Sequence, residues 1–347
     1  MANIFARSPY LISIAETGQS GSKLELFLAN GSFTGSPQYT LSKLIPASND
    51  VTTLYDISPF IREYIRFTSC SAGGNTAATN PTNERVNVRV KRYKLVGATY
   101  TPTTTNFQTD YLAFDGSTYY ESGSNFDLGN YGLDAGNYYY NPISDAGKIR
   151  VTGGASFTAK YTSFDLIPAI TSLSVSNGTF DIPRVRTANV LVGNKVEILD
   201  AGLGVLKTYF FYPQDECKYT PVIIDFVNKY GAWQREFFFK ASNDNFNVEN
   251  TEYNLMQTNS FNYNTLEGQR KVFNANAKKS IKVNTGWVAE SWKEVLKQIM
   301  LSERILIDNK PAKINTKSTE LFKHINTKQI NYSLDFEFAY DVINSVI

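Results

Sequence analysis

Over the first hundred residues, apolar side chains recur at every second position. Tyr10, Ile12 and Ile14 fall on one face of an extended segment, and Leu24, Leu26 and Leu28 on one face of the next. The intervening Glu16-Thr-Gly-Gln-Ser-Gly-Ser22 is turn chemistry, so the two segments are expected to form a hairpin. Residues 38–45 and 52–56 predict a third and a fourth strand. The period then changes. In DISPFIREYI (56–65), Ser58 can cap and Pro59 is preorganised for the first helical position, which predicts a short helix. The small polar and glycine residues of 69–83 read as an exposed loop. Alternation resumes over 85–95, with Val86, Val88 and Val90 inward and Asn87, Arg89 and Lys91 outward. Residues 1–95 are therefore expected to be an antiparallel β-sandwich domain.

Between 96 and 184 short strands are separated by many turns, a β insertion or second β domain. Asp115-Gly116 joins 111–114 to 117–120 with a strong hairpin signal. The stretch 119–140 is Gly, Ser, Asn, Asp and Tyr with almost no aliphatics, and GNYGLDAGNYYY (129–140) reads as a loop or a weakly ordered hairpin, most simply a solvated insertion. From 185 to 277 a third β-rich domain is expected. Residues 189–199 read as strands around a Gly-Asn turn at 193–194, and 207–212 as a further strand. Residues 221–228 and 233–239 form two strands across the turn 229–232. Their near-continuous apolar character points to burial on both faces or to an interface.

The terminal segment 278–347 reads as α+β. Strand 280–284 is followed by a helix over 286–302, with Val288, Trp292, Val295, Leu296, Ile299 and Met300 at helical spacing. Residues 304–308 form a returning strand with a turn at Asp308-Asn309, and 313–316 begin another. Strand 330–340 carries Tyr332, Leu334, Phe336 and Phe338 on one face. Trp287, Trp292 and Phe338 are expected to form the core of this segment. The fold class is thus mainly β: an N-terminal sandwich, a β-rich middle and a C-terminal α+β part with one main helix.

Composition narrows the function. With 34 Lys+Arg against 32 Asp+Glu, the charge excess is too small for a nucleic-acid coat or a polybasic membrane binder. No apolar run spans a bilayer, and MANIFARSPYLISI lacks the pattern of a secretory signal, so synthesis in a reducing cytoplasm is expected. The 23 Phe and 22 Tyr supply more ring surface than a core of this size needs, which points to contacts with partners.

Candidate chemistry is sparse. One histidine, His324, and two cysteines, Cys70 and Cys217, cannot build a zinc site or a disulfide framework. His324 has no Gly-x-Ser-x-Gly nucleophile to serve and reads as a surface or interface residue. Cys217 has Lys218 beside it, which favours a thiolate, yet a structural cysteine at a strand start is the simpler reading. Asp165, Asp225 and Glu236 could be nominated as a glycosidase carboxylate pair, with salt-bridged strand acids as the ordinary outcome. Asn243-Asp-Asn245 reads as a turn with calcium-type oxygen donors but lacks EF-hand spacing. The basic pairs in 270–271 and 278–282 are too few for a nucleic-acid footprint and suit a solvated or inter-subunit face. No cofactor is expected.

Three stretches carry a family resemblance: DISPFIREYI (56–65) with the opening sandwich, KYTPVIIDFVNKYGAWQREF (218–237), and LSERILIDNKPAKINTKS (301–318) running on to NYSLDFEFAY (331–340). Together, about half the chain resembles virion structural proteins of tailed bacteriophages, particularly tail and baseplate proteins of phages infecting Bacteroidota. The resemblance implies a non-enzymatic, oligomeric, β-rich virion component without a cofactor, partnered by copies of itself and other tail proteins. Trp233, Phe237, Phe238 and Phe239, with Tyr138, Tyr139 and Tyr140, are the expected interface residues. Two alternatives stand beside it: a receptor- or glycan-binding virion protein using the 119–140 loop, and an enzyme acting on surface polysaccharide.

Overall fold

The computed structural model describes residues 2–46, 52–67, 84–117, 131–144, 147–153, 155–176, 178–215, 220–240, 242–256, 266, 268–320 and 329–343. The chain is mainly β. It divides into two compact units, one of Met1–Asp215, Phe226–Arg235 and Ser291–Ser302, the other of Glu216–Asp225, Glu236–Glu290 and Glu303–Ile347.

The first unit opens with β1 (Ala2–Phe5), β2 (Leu11–Ala15), β3 (Gly21–Ala29), β4 (Tyr39–Leu44), β5 (Thr52–Asp56), helix α1 (Ser58–Arg62), β6 (Arg85–Val96), β7 (Thr99–Pro102) and β8 (Gln108–Phe114). One sheet has the order β1-β8-β6-β3-β4, with β7 also on β6, while among the described residues β2 and β5 pair only with each other. Alternation decides the layering. Val86, Val88 and Val90 of β6 and Leu24, Leu26 and Leu28 of β3 bury against Ile12, Ile14, Tyr55, Ile57 and Ile61 in one core. The expected hairpin of segments 10–14 and 24–28 does not form, because β2 joins β5 whereas β3 joins β4 and β6. Hairpin partners turn their apolar rows to the same sheet face. Here the two rows meet from opposite layers, which buries both. Ser58 does not cap α1: its hydroxyl donates to the Ser8 carbonyl, and Asp56 Oδ1 accepts the Ser58 N–H. The expected boundary at 95 falls inside a sheet that continues to Phe114. Of the hairpin expected at Asp115-Gly116, residues 118–120 lie outside the described residues, as does the loop 69–83.

The same unit continues with β9 (Tyr131–Gly132), β10 (Tyr138–Pro142), β11 (Lys148–Gly153), β12 (Phe157–Ser163), β13 (Ile170–Val175), β14 (Gly178–Pro183), β15 (Asn194–Leu199) and β16 (Val205–Gln214). They form two sheets, β10-β16-β15-β12-β13 and β14-β11-β9. Tyr139, Tyr161, Tyr209, Phe211, Ile149 and Val151 are fully buried. This core also admits charge. Arg184 and Asp134 are both 0 % exposed, with Nη2 and Oδ2 3.1 Å apart and the guanidinium 4.6 Å from the centre of the Tyr139 ring. The described part of the 119–140 loop is therefore not solvated: Leu133, Asp134, Ala135 and Tyr139 are buried, held by that ion pair and by β10. Residues 189–193 are not strand either, since the Asn189 carbonyl draws in the Val192 and Gly193 N–H groups and the strand begins at Asn194.

The remainder comprises β17 (Val222–Val227), β18 (Trp233–Phe238), β19 (Asn243–Asn254), β20 (Arg270–Ala289), helix α2 (Lys293–Leu301), β21 (Ile305–Ile307), β22 (Lys310–Ile314), β23 (Gln329–Phe338) and β24 (Val342–Ile343). In the turn after β17, Gly231 has φ +74°, and a Cβ there would meet the Asp115 backbone at 2.5 Å. In the second unit the strands run β21-β22-β23-β20-β19, with β24 also on β20. The β21–β22 hairpin turns through Asp308 and Asn309, both at positive φ (47° and 63°), as a two-residue hairpin loop requires. The helix expected over 286–302 is shorter. After a register shift, Trp287, Val288 and Ala289 stay in β20, paired with Asn331, Ile330 and Gln329 of β23. The boundary expected at 277/278 therefore cuts β20. Trp287, Trp292 and Phe338 do not share a core: Trp287 is 59 % exposed, Phe338 half-buried, and Trp292 buried in the first unit.

Lys207, on β16, donates to the Asp134 carbonyl at 2.9 Å. Burial, opposed by the Asp134 charge, brings its ammonium down to about 8. The unfolded chain keeps that proton to about pH 10.4. Between the two values the unfolded state binds the extra proton, so unfolding free energy should rise with pH. Urea titrations from pH 7.5 to 9.5 should show this slope in the wild type and a weaker one in Lys207→Met.

Candidate assembly interface

The expected interface residues separate by exposure. Tyr139, Trp233, Phe237 and Phe238 are buried within the chain (0, 7, 5 and 1 % exposed), so they have little surface to offer a neighbour. Trp233 packs edge-on against Phe67 at 5.8 Å. Phe239, Tyr138 and Tyr140 are half-buried. Asp225 and Glu236 are buried whereas Asp165 is exposed. Asn243, Asp244 and Asn245 form no turn but open β19. His324, Cys70 and Cys217 lie outside the described residues.

Tyr138–Tyr140 belong to an in-register parallel pair of strands. Tyr138 sits beside Phe210, Tyr139 beside Phe211 and Tyr140 beside Tyr212. Parity sends Tyr139 and Phe211 into the core, stacked at 5.2 Å. The outer positions carry Tyr138 stacked on Phe210 at 4.7 Å, and Tyr212 stacked on Phe164 at 5.0 Å. This leaves a row of half-exposed rings on one sheet face.

Among the described residues, the longest strand with every position exposed lies in the second unit. All twelve residues of β19 are exposed, and its outer edge has no strand beside it among the described residues. At roughly 3.3 Å per residue that edge is about 40 Å long. Its partner β20 joins β23 over residues 280–289 and touches β24 only at Asn276 and Ala277. Beyond these the sheet thins to a two-stranded ribbon, a form marginally stable in water by itself. Along the β19–β20 pair, Phe246 (60 %) and Val248 (52 %) are exposed before the sheet thins, and Val272 (53 %) and Phe273 (76 %) in its two-stranded part. The basic residues of 278–282 face the acids of β19: Lys278 lies 3.4 Å from Glu249 and Lys279 3.3 Å from Asp244.

Neither the protein-family models nor the curated proteins contain a match to this chain. Among the described residues, no helix is long and apolar enough to cross a membrane, and no three His, Cys, Asp or Glu side chains gather to hold a metal ion.

Sequence reasoning passed over the ribbon. Phe246 and Val248 alternate with Asn245, Asn247 and Glu249, a weak two-residue period among too many polar residues to stand out. Exposure should decide the response to substitution. Tyr139→Ala should cost about 3–5 kcal/mol in urea unfolding, and Phe246→Ser less than about 0.5 kcal/mol in the isolated chain.

Proposed function

We propose that this protein is a non-enzymatic building block of a multi-subunit assembly, a tail or baseplate ring of a tailed phage virion, joined to its neighbours through the β19–β20 ribbon. The observation that carries this reading is the uncovered edge of β19. Such an edge invites indiscriminate pairing in a monomer, whereas an assembly covers it with a neighbouring chain. Its apolar side chains gain from the same contact. The phage context rests on the resemblance of the three stretches 56–65, 218–237 and 301–340.

A second reading, contact with a host glycan, is favoured by one observation. Tyr138, Tyr140, Phe210 and Tyr212 leave a cluster of half-buried rings on one sheet face, aromatic surface of the kind that sugars contact. Tyr140→Ser with Tyr212→Ser should then abolish binding to purified host glycan.

The assembly reading is tested by light scattering after size exclusion. Wild-type protein at tens of micromolar should run as an oligomer. Phe246→Ser combined with Val272→Ser and Phe273→Ser should remain folded by circular dichroism and run as a monomer. A wild-type chain that stays monomeric, and is missing from purified virions by mass spectrometry, would refute the proposal.

A further inference from the structure

A second free edge lies in the first unit. Among the described residues, β2 pairs only with β5. Along β2 runs a groove of about 340 Å3, lined by the consecutive residues 10–16 together with Arg92, Tyr111, Thr103, Thr105 and Asn106. Strand addition to such an edge supplies backbone hydrogen bonds, and side-chain pockets beside it supply selectivity.

Arg92 gives this groove its chemistry. It continues the inward row of Val86, Val88 and Val90 on β6 and is 8 % exposed. A buried guanidinium ordinarily sits beside an anion. This one donates to the Asn106 carbonyl (2.6 Å), Thr109 Oγ1 (2.8 Å) and Tyr111 Oη (3.1 Å), all neutral. The carboxylate that lines the groove, Glu16, is already engaged by the Thr104 N–H and hydroxyl, the Thr105 N–H and Lys94. The groove therefore holds a buried cation whose hydrogen-bond partners are all neutral.

The ribbon carries a matching group. Asp244 and Glu249 of β19 pair with Lys279 and Lys278, but Glu252 stands opposite Val272 and has no cation beside it among the described residues. Glu252 also lies in the distal part of the ribbon, past the β24 contact, where only two strands remain.

We propose that the groove beside β2 receives the distal β19 edge of a second copy of this chain, which adds as a further strand and sets the Glu252 carboxylate on Arg92. The proposal rests on the assembly reading above and names the surface that receives the ribbon. A five-residue β2 engages only a short part of β19, around Glu252, with Tyr253 (43 % exposed) close to Leu11 (57 % exposed). The contact joins two different surfaces, so it is head-to-tail, the arrangement that closes rings or extends filaments.

The test uses full-length chains with Cys70→Ser and Cys217→Ser. A copy with Ser13→Cys is mixed with a copy with Asn250→Cys, treated with a short bis-maleimide, and the linked peptides are identified by mass spectrometry. A link between the two introduced sites is expected. Glu252→Lys, an exposed change, should weaken self-association at least about thirtyfold. Arg92→Gln, checked for folding by circular dichroism, should do the same. An oligomer that forms without that link, and that tolerates Glu252→Lys, overturns the docking site and leaves the assembly reading standing. Links from Asn250→Cys to β4 or β13 would name another edge as the receiver and also overturn it. A strictly monomeric wild type removes both.

Discussion

A strand is satisfied on two sides or it is unfinished. Every second backbone N–H and C=O along β19 points away from β20, over an edge of twelve residues that no described strand of its own chain covers. Water can satisfy those groups, but it cannot cover Phe246, Val248, Val272 and Phe273, which project from the same ribbon. This combination of an open hydrogen-bonding row and uncovered apolar side chains motivates the assembly reading.

The interior obeys the opposite rule, and obeys it even for charges. In the two-sheet core of the first unit, Arg184 and Asp134 lie at zero exposure, and the guanidinium stacks over Tyr139. Arg150 is likewise buried, with a bidentate pairing to Asp181 and a further contact to Glu84. Each of these arginines has a carboxylate beside it, as low-dielectric surroundings demand. Arg92 departs from them in its neutral partners and in lining an open groove. Side by side, the three arginines distinguish a charge that completes a core from one that awaits a ligand.

The first core was legible in the sequence almost residue by residue. Parity puts Val86, Val88 and Val90 inward and Leu24, Leu26 and Leu28 on one face, as it does Tyr10, Ile12 and Ile14; all are buried except Tyr10, which is half-buried. Parity is a property of neighbouring residues, so a single chain displays it. It was silent on which strands pair, and the hairpin expected between segments 10–14 and 24–28 became two layers instead. The helix over 286–302 failed at its start for a related reason. Helical spacing of apolar residues cannot outweigh backbone bonds to a partner strand some forty residues downstream. Residues 131–140 misled through composition, because Gly, Asn and Tyr look like a surface loop until Arg184 arrives to hold Asp134.

By itself, then, the sequence determined the β class, the two-residue period of the strands, the short helix near 58–62 and the scarcity of histidine and cysteine, all set by local residue type and spacing. Tertiary structure alone decided the layer pairing, the buried ion pairs, the neutral hydrogen-bond partners of Arg92 and the exposure of β19. Those depend on which distant segments meet, a choice made by the total burial and hydrogen bonding of the whole chain rather than by any one stretch of it.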